Sequence, residues 1–188
     1  MPLAAQPLDS QRPTESAIIV AVADAEPVVA RHRDRFDTAA SWGVPAHVTI
    51  LYPFIDPAAL NKRVVERLRD AVRRVDPFRC VFNRTAWFGT DVLWLAPEPD
   101  MPFRLLTGAV VQAFPTHLPY GGAYGADATP HLTVAETRLA DRVEDVLAAE
   151  REVEPLLPIA TTVSEALLIA GTASADSWGV VARLRLGS

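Results

Sequence analysis

The chain has 188 residues, 49% of them hydrophobic and 22% charged, which admits one globular domain or two small lobes on a shared core and excludes disordered, collagen-like and coiled-coil chains. Eighteen Lys and Arg against 23 Asp and Glu give a net charge of −5; this argues against a DNA-binding protein or any protein held mainly by many backbone phosphates, and leaves room for a small anionic ligand. The single cysteine, Cys80, excludes an intramolecular disulfide and a cysteine-built metal site, fits a reducing compartment and is expected to fill core.

Residues 1–15 read as a flexible N-terminal tail, without the basic start and apolar run of a signal peptide, and residues 16–188 as a single domain. No apolar run approaches the roughly 20 residues of a membrane helix. The expectation is a cytoplasmic monomer that does not engage a membrane.

In chain order, Ala17 to Val22 is a buried strand, Glu26 to Phe36 a short helix with Pro27 in its first turn, and His47 to Tyr52 a second strand stopped by Pro53. A helix follows from Asp56 and Pro57 to about Val75, with Leu60, Val64, Leu68 and Val72 on its apolar face. Its polar face carries six Lys or Arg against Glu66 and Asp70, a spacing that favours a solvated, ion-paired surface over a ligand-guiding one. Strands are predicted at Phe78 to Asn83 and Val92 to Leu95, and a helix at Phe103 to Phe114. The turn-rich segment from Pro115 to Pro130 is a long loop without a Gly-Lys-Ser/Thr phosphate cradle. A strand at His131 to Ala135, a helix from about Asp141 to Glu152, and strands near Ala166 to Ala170 and Val180 to Leu186 complete two α+β halves of about 85 to 90 residues.

One internal repeat supports that halving. His47-Val48-Thr49-Ile50 and His131-Leu132-Thr133-Val134 share the order His, apolar, Thr, apolar; two such occurrences among the chain's 4 histidines are a coincidence expected about once in 600 sequences of this composition. On a strand, side chains at i and i+2 share a face about 6.5–7 Å apart, so each motif projects one imidazole and one hydroxyl together. If a pseudo-twofold axis relates the halves, the pairs converge on one tetrahedral group. One neutral and one protonated imidazole then serve as base and acid at a phosphodiester, and the threonine hydroxyls bond its non-bridging oxygens, with no metal needed. His117 supplies the alternative, a three-histidine zinc site.

These motifs, with Tyr52-Pro53-Phe54 after the first, the Phe88 to Pro99 stretch between them and the ending Trp178 to Gly187, resemble the two-histidine (2H) phosphoesterase superfamily, in its 2′-5′ RNA ligase and cyclic phosphodiesterase branch. The resemblance implies a bilobal α+β fold of two pseudo-symmetric lobes, each with a curved antiparallel sheet flanked by helices, and a central groove carrying His47, Thr49, His131 and Thr133. It also implies metal-independent opening of a 2′,3′-cyclic phosphate on a nucleotide or RNA end, without a cofactor. The alternatives are 2′-5′ ligation and non-catalytic nucleotide or phosphate binding. Tyr52, Tyr120, Tyr124 and Phe88 are the candidates for stacking on a base or contacting phosphate at the groove rim. Activity is expected to peak near neutrality, and the residues leave open which histidine is base and which is acid.

Overall fold

The computed structural model describes residues 12–123 and 128–187. The chain forms β1 (Glu15–Ala21), α1 (Glu26–Phe36), a single turn α2 (Thr38–Ser41), β2 (His47–Leu51), α3 (Lys62–Val72), β3 (Phe78–Phe88), β4 (Val92–Glu98), α4 (Met101–Ala113), β5 (Leu132–Glu136), α5 (Val143–Val153), β6 (Ile159–Val163), β7 (Glu165–Gly171) and β8 (Gly179–Arg185). Two antiparallel four-stranded sheets result, in the orders β2-β1-β7-β8 and β5-β4-β3-β6. With helices against both sheets, this is the expected bilobal α+β architecture. No helix among the described residues is long and apolar enough to cross a membrane.

The two lobes are not the two halves of the sequence. The first sheet takes β1 and β2 from the start of the chain and β7 and β8 from its end, and the second sheet is made from the middle. The helices cross over as well: α1, which links β1 to β2, packs on β5 of the second sheet, and α4, which links β4 to β5, packs on β2 of the first. Each sheet therefore buries an apolar helix face supplied by the other lobe's connection. One continuous core runs through both lobes, from Val29 of α1 and Val48 of β2 to Leu95 of β4 and Leu106 of α4.

The inner strands β1 and β7 are buried on both faces, which is why they read as unbroken apolar runs. Cys80 is buried and free, filling core as expected, and burial pushes its thiol up to about 11.

Four local expectations change. The helix expected from Asp56 is broken, because the Asp56 side chain accepts the Ala58 N–H and the Asn61 side chain caps Val64, leaving a 3₁₀ turn at Pro57–Ala59 before α3. β3 runs on to Phe88, past a register shift between Phe82 and Thr85 that interrupts its alternation. β6 is an additional strand with little sequence signal, because only Ile159 and Val163 of Ile-Ala-Thr-Thr-Val are buried. At the start, Thr14 N–H donates to Gly171 O at 2.8 Å and Glu15 opens β1, so the sheet begins ahead of residue 16; residues 1–11 lie outside the described range.

Candidate active site

β2 and β5 are edge strands of different sheets, and they lie side by side where the lobes meet. Their alternation decides what faces that junction. Val48 and Ile50 of β2, and Leu132 and Val134 of β5, point into the core, so His47, Thr49 and Thr133 point away from it. His131, one residue before β5, continues the same pattern. All four line a groove of about 820 Å³. The structure thus brings together the two motifs that the sequence places 84 residues apart.

The two imidazoles are held alike. His47 Nδ1 lies 2.8 Å from the carbonyl oxygen of Pro45, and His131 Nδ1 lies 2.8 Å from that of Thr129, in each case two residues upstream. A carbonyl can only accept, so Nδ1–H is the donor and Nε2 is left as the ring nitrogen available to a ligand. Each ring can then give or take a proton at Nε2 while its other nitrogen fixes its orientation.

Their surroundings differ. Burial, followed by the positive charge of Arg33, pushes His47 down to about 4, against the opposing bond to Pro45; a charge on His131 acts in the same downward direction. His131 is also lowered, by burial alone, against its bond to Thr129. The Phe88 ring meets the His131 ring edge-on at 4.9 Å and Trp94 lies 6.0 Å away, so that imidazole is desolvated by aromatic neighbours.

Arg33 is 2% exposed and sits in a buried network that builds the His47 segment. Its Nε donates to Asp37 Oδ2 at 2.9 Å and an Nη to Val44 O at 3.1 Å, and Glu26, whose Oε1 lies 4.0 Å from the guanidinium, accepts the Ala46 N–H at 2.6 Å. The backbone on both sides of Pro45 is thereby fixed, and with it the carbonyl that orients His47.

The first-lobe wall is aromatic. Trp42 and Trp178 have nearly parallel rings (8°) with centroids 6.2 Å apart, and Tyr52 meets Trp178 edge-on at 6.4 Å. Trp178 is held by Nε1–H donating to Thr172 O and by its own N–H donating to Trp42 O. Its indole lies on Gly171, where an added Cβ would come within 2.5 Å of the ring.

Of the proposed rim residues, Tyr52, Tyr120 and Phe88 line the groove, and Tyr124 lies outside the described residues. The Tyr52 hydroxyl donates to Glu15 at 3.0 Å and burial raises it to about 12, so the hydroxyl is already engaged. Phe88 stacks on Trp94 as well as flanking His131. His117 packs against Phe54, outside the groove lining, so the three histidines do not converge; among the described residues no three His, Cys, Asp or Glu side chains are grouped to hold a metal ion.

Sequence reasoning missed Trp42 and Arg33 and did not weigh Trp178 as a groove residue. It also missed Glu136 and Arg138 at the second-lobe end, where Glu136 binds both Arg138 and the Thr38 N–H. Arg33 is flanked by Arg31 and Arg35 on the same helix, and nothing local distinguishes the buried guanidinium from the exposed ones.

Among curated proteins none matches the chain. Solved structures do match along nearly its full length. Escherichia coli LigT bound to NADP+ is 14% identical, with a TM-score of 0.57 over 94% of this chain and 99% of LigT. LigT bound to 3′-AMP gives 15% and 0.55 over 94% and 100%, and a Thermus thermophilus protein 15% and 0.56 over 93% and 99%. At these identities the likeness is one of fold. The sequence profile of the 2′-5′ RNA ligase superfamily matches residues 15–174, a span that contains both histidine motifs and every strand up to β7, and the chain belongs to that superfamily of 2H phosphoesterases.

Proposed function

We propose that the protein is a metal-independent phosphoesterase that opens a 2′,3′-cyclic phosphate on a nucleotide or RNA end, with His47 as general base and His131 as general acid. The observation that carries this reading is the matched tethering of the two imidazoles, each with Nε2 free beside a threonine hydroxyl in one groove. His47 Nε2 takes a proton from water as its oxygen attacks phosphorus. The P–O3′ bond breaks, His131 Nε2–H gives its proton to the departing O3′, and the products are a 2′-phosphate and a 3′-hydroxyl. Solvent then returns the histidines to their starting protonation. Thr49 and Thr133 donate to the non-bridging oxygens as charge redistributes in the pentavalent state. The base or ribose rests against Trp42, Trp178 and Tyr52.

The roles follow from the unequal surroundings. A histidine pushed down to about 4 is neutral and ready to accept a proton over nearly the whole physiological range. The acid must instead keep its proton, and His131 has no cation among the causes that lower it. Hydrolysis fits better than ligation because the groove walls carry Asp37, Asp91 and Glu136 with Arg138 as the one guanidinium among the described lining residues, a poor surface for gathering two RNA ends.

The test is the pH profile of kcat/KM. Activity should rise as pH climbs through about 4, where His47 loses its proton, and fall as pH passes the His131 value, which lies below 6.5. The limbs belong to the coupled pair. The maximum therefore falls on the acid side of neutrality, displaced from the neutral optimum that unperturbed histidines would give. A bound phosphate anion favours both imidazolium forms, so the kcat profile should lie at higher pH than that of kcat/KM. A profile with one limb, or one centred above pH 8, would contradict the two-histidine scheme.

A further inference from the structure

We propose that Arg69, Arg73, Arg183 and Arg185 form a second phosphate site, remote from the histidines, which holds a backbone phosphate of an RNA strand whose end lies in the groove. The inference rests on the function proposed above and sharpens its substrate, from a mononucleotide to the end of an oligonucleotide.

Four arginines line a cavity of about 300 Å³ where α3 reaches the free edge of β8, with Glu165 as the other lining residue. Glu165 pairs with Arg183, and the partner of Arg73 is Asp70 at 3.9 Å. Arg69 and Arg185 have no side-chain hydrogen bond or ion pair among the described residues. Four cations thus share a cavity with one carboxylate in a chain whose net charge is −5. Like charges gathered in this way repel unless an anion enters between them, and the planar fork of arginine matches the paired oxygens of a phosphodiester. The sequence alone presents Arg69 and Arg73 as part of a solvated helix face; the two arginines of β8 that complete the cluster come from more than 100 residues further on.

The cluster's position links it to the groove. Thr49 pairs with Ile19, Ile19 with Leu167, and Leu167 with Arg183, so these four residues form one row across the first sheet. Residues directly opposed on antiparallel strands share a face, and Leu184 between the arginines and Ala182 before them point into the core. Arg183 therefore stands on the face that carries Thr49, three strand spacings away, about 14 Å. Between them Ala17, Ile19 and Ile169 form the base of the groove, with Trp42, Tyr52 and Trp178 packed against it. A strand of a few nucleotides with its cyclic phosphate between His47 and His131 spans that distance.

The experiment compares a nucleoside 2′,3′-cyclic monophosphate with a tetranucleotide ending in the same group, using wild type and the Arg69→Gln/Arg185→Gln double variant. Both side chains are exposed, and circular dichroism verifies the fold. Wild type should prefer the tetranucleotide in kcat/KM by about tenfold or more, and the double variant should lose that preference through KM. The slope of log(kcat/KM) against log salt for the tetranucleotide should become shallower by about 0.7 per arginine removed. An unchanged preference in the variant would overturn the second site. If neither substrate is turned over, the proposed reaction fails, and fluorescence anisotropy with the labelled tetranucleotide still decides this inference: about tenfold weaker binding by the variant supports it and equal binding overturns it. Tripolyphosphate that binds wild type but not the variant, without displacing the tetranucleotide, would assign the arginines to a free polyphosphate and overturn the RNA site.

Discussion

His47→Ala and His131→Ala should each lower kcat by at least about 10²-fold, the lower end for a general acid or base, while the denaturation midpoint moves little. Both rings are partly exposed in the groove, so their removal opens no cavity in the core. The double variant should be scarcely slower than either single one, because proton removal from water and proton delivery to O3′ serve one displacement, and the loss of either member disables it. Thr49→Val and Thr133→Val keep the strand's side-chain shape and lose one hydrogen bond to the transition state, so about tenfold to 10²-fold is expected for each. Steady-state kinetics on the purified variants check all of these. A histidine variant with near-full turnover would remove that residue from the mechanism, and multiplicative losses in the double variant would mean that the histidines act in separate steps.

Arg33→Met carries the largest stability cost. Asp37 is 5% exposed and would keep a buried carboxylate without its cation, and Val44 O would lose its donor. Removing one partner of a buried pair costs about 3–5 kcal/mol, because the other charge stays desolvated and unpaired. In a chain of this size that corresponds to a drop in Tm of about 10 °C, measurable by thermal denaturation. The Arg33→Met/Asp37→Asn double variant should recover part of the loss, since asparagine leaves no unpaired buried charge and still accepts the Ala39 N–H. The same substitution has a kinetic signature. Arg33 disfavours the protonated form of His47, so its removal raises that histidine's pKa and the acid limb of kcat/KM should move to higher pH, leaving the alkaline limb in place. Loss of stability with an unmoved acid limb would make Arg33 a purely structural residue.

How much of this was legible in the sequence depends on the range of the signal. The His-apolar-Thr-apolar motifs are local: alternation on a five-residue strand decides which side chains leave the core, and the structure places Val48, Ile50, Leu132 and Val134 inside as that alternation requires. The division into lobes is not local. β7 and β8 join β1 and β2 from the far end of the chain, and α1 and α4 cover each other's sheets, so two similar sequence halves become two lobes of mixed origin. The aromatic wall shows the same limit. Trp42 follows a one-turn helix and Trp178 precedes β8, and only the pairing of β1 with both β2 and β7 brings the two indoles together. The cation that acts on His47 was equally hidden, because it is one arginine among three on α1, selected by burial.

Product analysis of a nucleoside 2′,3′-cyclic monophosphate incubated with wild-type protein after prolonged chelation decides whether the two histidines open the ring without a metal. Chromatography against authentic 2′- and 3′-phosphates should show complete conversion to the 2′-phosphate, at a rate that added zinc leaves unchanged and that His47→Ala and His131→Ala each lower at least about 10²-fold. Binding of the cyclic nucleotide without turnover would make the groove a sensor. Turnover that chelation removes and zinc restores would contradict the two-histidine mechanism.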